Sequence, residues 1–237
     1  MSDKKDLSLK VCQGDKIKEK FVIKERTDFT LRQKELIELV LRKDSIIIFC
    51  EGPAGTAKSF LATYCGLKLL NDKKVSDIVF LRTLVESAAK GIGYLKGDDS
   101  EKFRPFIIPL MDKLEELLSR ADIDKLLKED RIKPIPANFL RGTNFNAKYI
   151  FLEEAQNWTF AELITAITRI GRHSKMIFCG DFSQADINGR SGFKKLFDIF
   201  NDKESQENGI FCFQFTKDDV VRSGVVKFIL GKIEKSQ

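Results

Sequence analysis

Gly52-Pro53-Ala54-Gly55-Thr56-Ala57-Lys58-Ser59 sets two glycines, a lysine and a hydroxyl at a spacing suited to phosphate. Glycines at 52 and 55 let the backbone turn tightly and aim its N–H groups inward. The positive end of a following helix then completes a cradle for anionic oxygens. Lys58 has the reach for the β- and γ-phosphates of a nucleotide, and the Ser59 hydroxyl can ligate Mg²⁺. The pattern G-x-x-x-x-G-K-[ST] asks for glycine where this chain has Ala57. Position 57 opens a helix, so no positive φ is expected there and alanine should be tolerated.

Two more motifs follow in order. Tyr149-Ile150-Phe151-Leu152 is an apolar run that ends in Glu153 and Glu154. In a nucleotide hydrolase such a strand is expected beside the phosphate-loop strand. Its first acid then completes the Mg²⁺ shell and its second polarises the attacking water. The first acid is usually aspartate, and Glu153 is one methylene longer. The third motif is Cys179-Gly180-Asp181-Phe182-Ser183-Gln184. A glutamine just past a central strand can hydrogen-bond the γ-phosphate and report its presence, the role expected of Gln184. Taken alone, Asp181 would read as a loop cap.

The elements that must position these residues are legible in the hydrophobic pattern. Strands are expected at 46–50, 77–82, 132–135, 148–153, 175–180 and 210–215. Helices are expected at 30–42 with Thr30 as cap, at 58–70, in segments over 105–130, and at 159–170, 192–201 and 218–233. A short edge strand is expected around Phe21–Ile23 and a polar loop over Asn201–Asn208. Strands alternating with helices imply an α/β fold, with a central, mostly parallel sheet covered on both faces. Residues 1–27 read as an extension and 28–237 as one domain.

Bulk properties set bounds. With 237 residues and 43% hydrophobic content, the chain can build a real core. A net charge of +6 is compatible with a nucleic-acid partner, but 32% charged residues of both signs make that weak evidence. The five cysteines include Cys50, Cys65 and Cys179 inside apolar runs, which fits buried, reduced thiols. Nothing reads as a signal peptide, and no apolar stretch approaches the roughly 18–20 residues of a membrane span. A cytoplasmic protein without a membrane partner is expected. With one histidine, His173, no second histidine can join a zinc cluster or triad. Trp158 and the phenylalanines at 193, 197, 200, 211, 213 and 215 read as core. Lys90, Lys96, Lys102 and Arg104 surround a glycine-rich loop and could touch a phosphate backbone or simply face solvent.

The ordered set G-P-A-G-T-A-K-S, L-E-E-A-Q-N-W-T and G-D-F-S-Q-A-D resembles the PhoH family of P-loop ATPases, a family related to the RecA-like core of superfamily 1 helicases. The resemblance extends over roughly residues 28–230, through Leu81-Arg82-Thr83-Leu84-Val85-Glu86, Phe139-Leu140-Arg141-Gly142 and Asp219-Val220-Val221-Arg222-Ser223. Departures are Ala57, Glu153, Thr143 in place of a second arginine, Ser223 in place of histidine, and about one extra residue between Glu86 and Gly93. The resemblance implies a three-layer α/β/α RecA-like P-loop fold that binds ATP with Mg²⁺ and hydrolyses it. Residues 52–60 (Gly52 to Phe60) would cradle the nucleotide, with Lys58, Glu154, Gln184 and Arg222 catalytic, and Ser59 and Glu153 on the metal. Thr30-Leu31-Arg32-Gln33 is similar to a helicase glutamine motif, which implies that Gln33 reads the adenine edge. Arg222 is the implied arginine finger, with Arg141 and Arg169 as competitors. Arg82 and Lys102 are further candidates for nucleic-acid contact. The resemblance also implies self-association, as a ring and as a hexamer by family habit, and RNA or single-stranded DNA as partner. Compact members are familiar from tailed phages, so a viral protein acting in a host cytoplasm fits. The alternative is a nucleotide-dependent switch with little turnover, which Ala57 and Glu153 favour.

Overall fold

In the computed structural model the described residues are 17, 19–83, 99–137, 140, 142–185, 187, 189–221 and 225, with backbone alone for 99–106. Six strands form one sheet: β1 (Ile47–Glu51), β2 (Asp77–Arg82), β3 (Ile132–Pro136), β4 (Lys148–Leu152), β5 (Lys175–Gly180) and β6 (Ile210–Gln214). Their order is β3-β2-β4-β5-β1-β6, and every pairing is parallel. The central strands β1 and β5 are buried along their whole length, as strands covered on both faces must be.

Alternation along the strands divides the core in two. Ile48, Phe80, Phe151 and Ile177 face one layer, formed by α1 (Leu31–Leu41), α2 (Lys58–Asn71), α3 (Asp99–Leu117) and α4 (Arg120–Lys128). Phe49, Leu81, Leu152 and Phe178 face the other, which contains Trp158, α5 (Phe160–Ile167) and α6 (Phe193–Phe200). This is the expected three-layer α/β/α arrangement. Trp158 and the phenylalanines at 193, 197, 211, 213 and 215 are buried, as expected of core. Cys50, Cys65 and Cys179 are free, buried thiols. Among the described residues no helix is long and apolar enough to cross a membrane.

Local chemistry starts the helices where the motifs need them. Thr30 and Gln33 form a reciprocal capping box at the head of α1, and Thr159 with Glu162 does the same for α5, directly after the acidic motif. Helix α2 begins at Ala57 with no side-chain cap, so its first N–H groups are left for an anion. Gly66 lets α2 settle onto β4, since a Cβ there would lie 2.7 Å from the Tyr149 ring. The Tyr149 hydroxyl donates to the Ala62 carbonyl at 2.8 Å, fixing the phosphate-loop helix against the acidic strand.

Three expectations are corrected. The acidic strand β4 does not lie beside the phosphate-loop strand β1, because β5 is inserted between them. At roughly 4.8 Å per strand this separates the two motifs by about 10 Å, room for phosphates and an ion. No strand forms around Phe21–Ile23. There the Phe21 N–H and C=O both pair with the Asn71 amide, and the Lys24 N–H donates to the Leu117 carbonyl, tying the segment to the ends of α2 and α3. The helical segments expected over 105–130 are α3 and α4, parted at Ser119, whose hydroxyl caps α4. The polar loop 201–208 contains a short helix, α7 (Lys203–Glu207), started by the Asp202 carboxylate on the Ser205 N–H. The helix expected over 218–233 falls almost wholly outside the described residues.

Candidate active site

A cavity of about 550 Å³ opens at the carboxyl ends of β1, β4 and β5, lined among others by Gly55, Lys58, Ser59, Glu154, Asp181 and Gln184. The three motifs therefore meet at one place, where parallel α/β sheets bind ligands.

The phosphate loop is built by its glycines and threonine. Gly52 has φ 157° and Gly55 φ 93°. A Cβ on Gly52 would lie 2.6 Å from the Phe215 Cβ. Thr56 is fully buried, and its hydroxyl donates to the Pro53 carbonyl at 2.9 Å, stapling the loop from inside. The Lys58 ammonium donates to the carbonyls of Pro53, at 3.0 Å, and Gly52. Ala57 overturns its expectation, for it is left-handed at φ 67°, ψ 21°. The loop turns sharply into α2 at this residue, and glycine would adopt that conformation without the cost that a Cβ imposes.

After β4 the backbone turns left-handed again, at Glu154 (φ 54°). Glu154 lines the cavity. Gln156 holds it, donating from Nε2 to Glu154 Oε2 at 2.6 Å, while its Oε1 accepts the Asp181 N–H at 3.0 Å. Glu153 is buried beside Lys113 of α3, with Lys113 Nζ 3.5 Å from its Oε1. Its Oε2 is buried without a hydrogen-bond partner. Glu153 does not itself line the cavity, whereas Ser59 and Lys113 do; the unpaired Glu153 oxygen and the Ser59 hydroxyl are hard donors of the type Mg²⁺ takes, so the residue types present fit the ion. Trp158 donates its indole N–H to the Glu153 carbonyl at 3.4 Å, which explains its complete burial.

Asp181 caps its own turn, accepting from the Ser183 N–H at 2.9 Å and hydroxyl at 2.6 Å. This holds the single 3₁₀ turn Phe182–Gln184, which leaves the Gln184 side chain exposed on the cavity wall. Gly180 must be glycine, since a Cβ would strike the Phe193 ring at 2.6 Å. Glu51, at the end of β1, is buried. Burial pushes its carboxyl above the ordinary value, and the Asp181 charge adds to this while Lys58 opposes it.

The other candidate residues lie around this cavity or away from it. Gln33 is buried and both ends of its amide are engaged: Oε1 accepts the Thr30 N–H at 3.0 Å, and Nε2 donates to the Thr56 carbonyl at 3.4 Å. It buttresses the phosphate loop. Phe60 is buried on the cavity wall with the Arg26 guanidinium 5.1 Å over its ring. Arg82 ends β2 and Arg169 donates to the Thr165 carbonyl at 3.4 Å; neither lines the cavity. Arg141, Arg222, Lys90 and Lys96 lie outside the described residues, as do the side chains of Lys102 and Arg104. Val221, which precedes Arg222, donates its N–H to the Gly55 carbonyl at 2.9 Å. Sequence reasoning missed Gln156, Glu51 and Lys113. Gln156 stood inside a quoted motif, whereas Lys113 is one lysine among many on an amphipathic helix.

A model of the PhoH-like protein family matches residues 23–234. A PhoH-like protein of Synechocystis sp. is 34% identical over 210 residues, covering 88% of this chain and 62% of that protein. One from Bacillus subtilis is 33% identical over 206 residues, covering 87% and 63%. The chain thus spans about three fifths of the length of these relatives. Among solved structures, the large terminase of the thermophilic bacteriophage D6E superposes with a TM-score of 0.52 at 14% identity, over 86% of this chain and 50% of that one, a likeness of fold.

Proposed function

The chain belongs to the PhoH-like family, and from that premise we propose that it binds ATP with Mg²⁺ and hydrolyses it on a single α/β domain. One observation carries the reading: Lys58, Ser59, Glu154 and Gln184, from three separate motifs, line the same cavity. Lys58 and the loop N–H groups hold the β- and γ-phosphates. Ser59 and Glu153 hold the metal, which when bound neutralises charge developing on the phosphoryl oxygens. Glu154, fixed by Gln156, orients and deprotonates the attacking water, and Gln184 contacts the γ-phosphate. Arg222 follows a residue bonded to the phosphate loop, which supports it over Arg141 and Arg169 as the arginine that meets the transferring phosphate. Phosphate release by the wild type, set against Lys58→Ala and Glu154→Gln, tests the proposal.

Coupling to RNA or single-stranded DNA and assembly into a ring belong to the same proposal. They are supported by the net charge of +6 and by the resemblance of the motifs to helicase cores. Turnover measured with and without each nucleic acid, together with native mass in ATP, tests them. A second reading, a nucleotide switch with little turnover, is favoured by the Lys113–Glu153 ion pair, which engages the metal-side acid. Tight ATP binding without hydrolysis would select it.

A further inference from the structure

Glu153 has a cation of its own. Its side chain is 6% exposed and that of Lys113 is 20% exposed, with 3.5 Å between Nζ and Oε1. A buried carboxylate deprived of water needs a positive charge nearby. Lys113 supplies it from α3, an element to which none of the three motifs belongs.

The pair is loose. The shorter bond of the ammonium is to the Pro109 carbonyl one turn back on the same helix, at 2.6 Å. Its tie to the acid is Coulombic, and the flexible four-carbon stem can swing the ammonium away from Glu153. Lys113 also lines the cavity, so a cation arriving there meets it. A second cation beside the same carboxylate is repelled by the ammonium already present.

We propose that Lys113 is a built-in competitor of the divalent ion at Glu153: it neutralises the acid when no metal is bound and must yield for metal to bind. This sets a threshold, so that the ion is accepted when the nucleotide phosphates add their charge and weakly when it comes alone. The inference rests on Glu153 being the metal-side acid.

The test is Mn²⁺ alone, titrated into the full chain without nucleotide and followed by the electron paramagnetic resonance signal of the free ion. Lys113→Met should bind Mn²⁺ about tenfold more tightly than wild type, and Lys113→Arg within about twofold of it. Thermal unfolding gives a second readout. Lys113→Met should melt lower than wild type in chelator and recover more on adding Mg²⁺. Unchanged or weaker Mn²⁺ binding in Lys113→Met overturns the inference. If in that case Glu153→Gln still weakens binding of Mn²⁺ with a non-hydrolysable ATP analogue, the assignment of Glu153 stands. A gain in Lys113→Met that survives in Lys113→Met/Glu153→Gln overturns both, because the ion then sits elsewhere.

Discussion

Gln156 grips Glu154 and the backbone of Asp181 at once, through bonds of 2.6 and 3.0 Å from the two ends of one amide. The acid after β4 and the turn after β5 are thereby held in fixed relation across the cavity. A side chain locked on both sides positions its neighbour for chemistry. Gln156→Leu should lower kcat about 10- to 100-fold, with nucleotide Kd within about threefold of wild type. Steady-state kinetics beside equilibrium binding separates the two. A loss carried by Kd alone would mean that Gln156 only shapes the pocket.

Ala57 makes the opposite kind of statement, since its backbone conformation is one that L-residues avoid. Ala57→Gly should relieve that strain and stabilise the fold by about 0.5–1 kcal/mol, in contrast to the usual cost of glycine inside a helix. Denaturant unfolding measures it. Destabilisation on introducing glycine would mean that the left-handed turn is not retained in solution.

Lys175 gives the fold a pH signature far from the site. It is buried at the start of β5, donating to the Arg42 carbonyl at 2.8 Å and the Ser45 hydroxyl at 2.7 Å. Burial lowers its ammonium from 10.5 to about 8, with Asp44 opposing. Between those values the unfolded chain binds a proton that the native chain has shed, so this lysine makes stability rise as pH climbs from about 8 toward 10.5. The contribution is at most ~3 kcal/mol, and below the window it stays a constant cost. Lys175→Met should flatten that slope relative to wild type in unfolding curves taken across the window. Parallel curves for the two proteins would contradict it.

Much of this was legible in the sequence because it is local. Apolar runs ending in Gly52, Glu153 and Gly180 gave the strands and the edge where the site lies, and Thr30 and Thr159 marked helix starts by their side-chain chemistry. What stayed hidden is non-local. The insertion of β5 between β1 and β4 is a pairing choice among similar apolar strands. The φ of Ala57 depends on how the loop meets α2, not on residue type. The tie from Gln33 to the phosphate loop is not legible in the sequence because its two partners, a cap N–H and the Thr56 carbonyl, come together only in the fold. Lys113 becomes visible when α3 packs beside the end of β4 and brings its ammonium to Glu153.

The central claim is that Glu154 activates water at a working phosphate site, and turnover of Glu154→Gln tests it most directly. The account predicts ATP affinity close to wild type with phosphate release reduced at least about 100-fold, as expected for loss of a general base. Equal phosphate release from wild type and Glu154→Gln would contradict it.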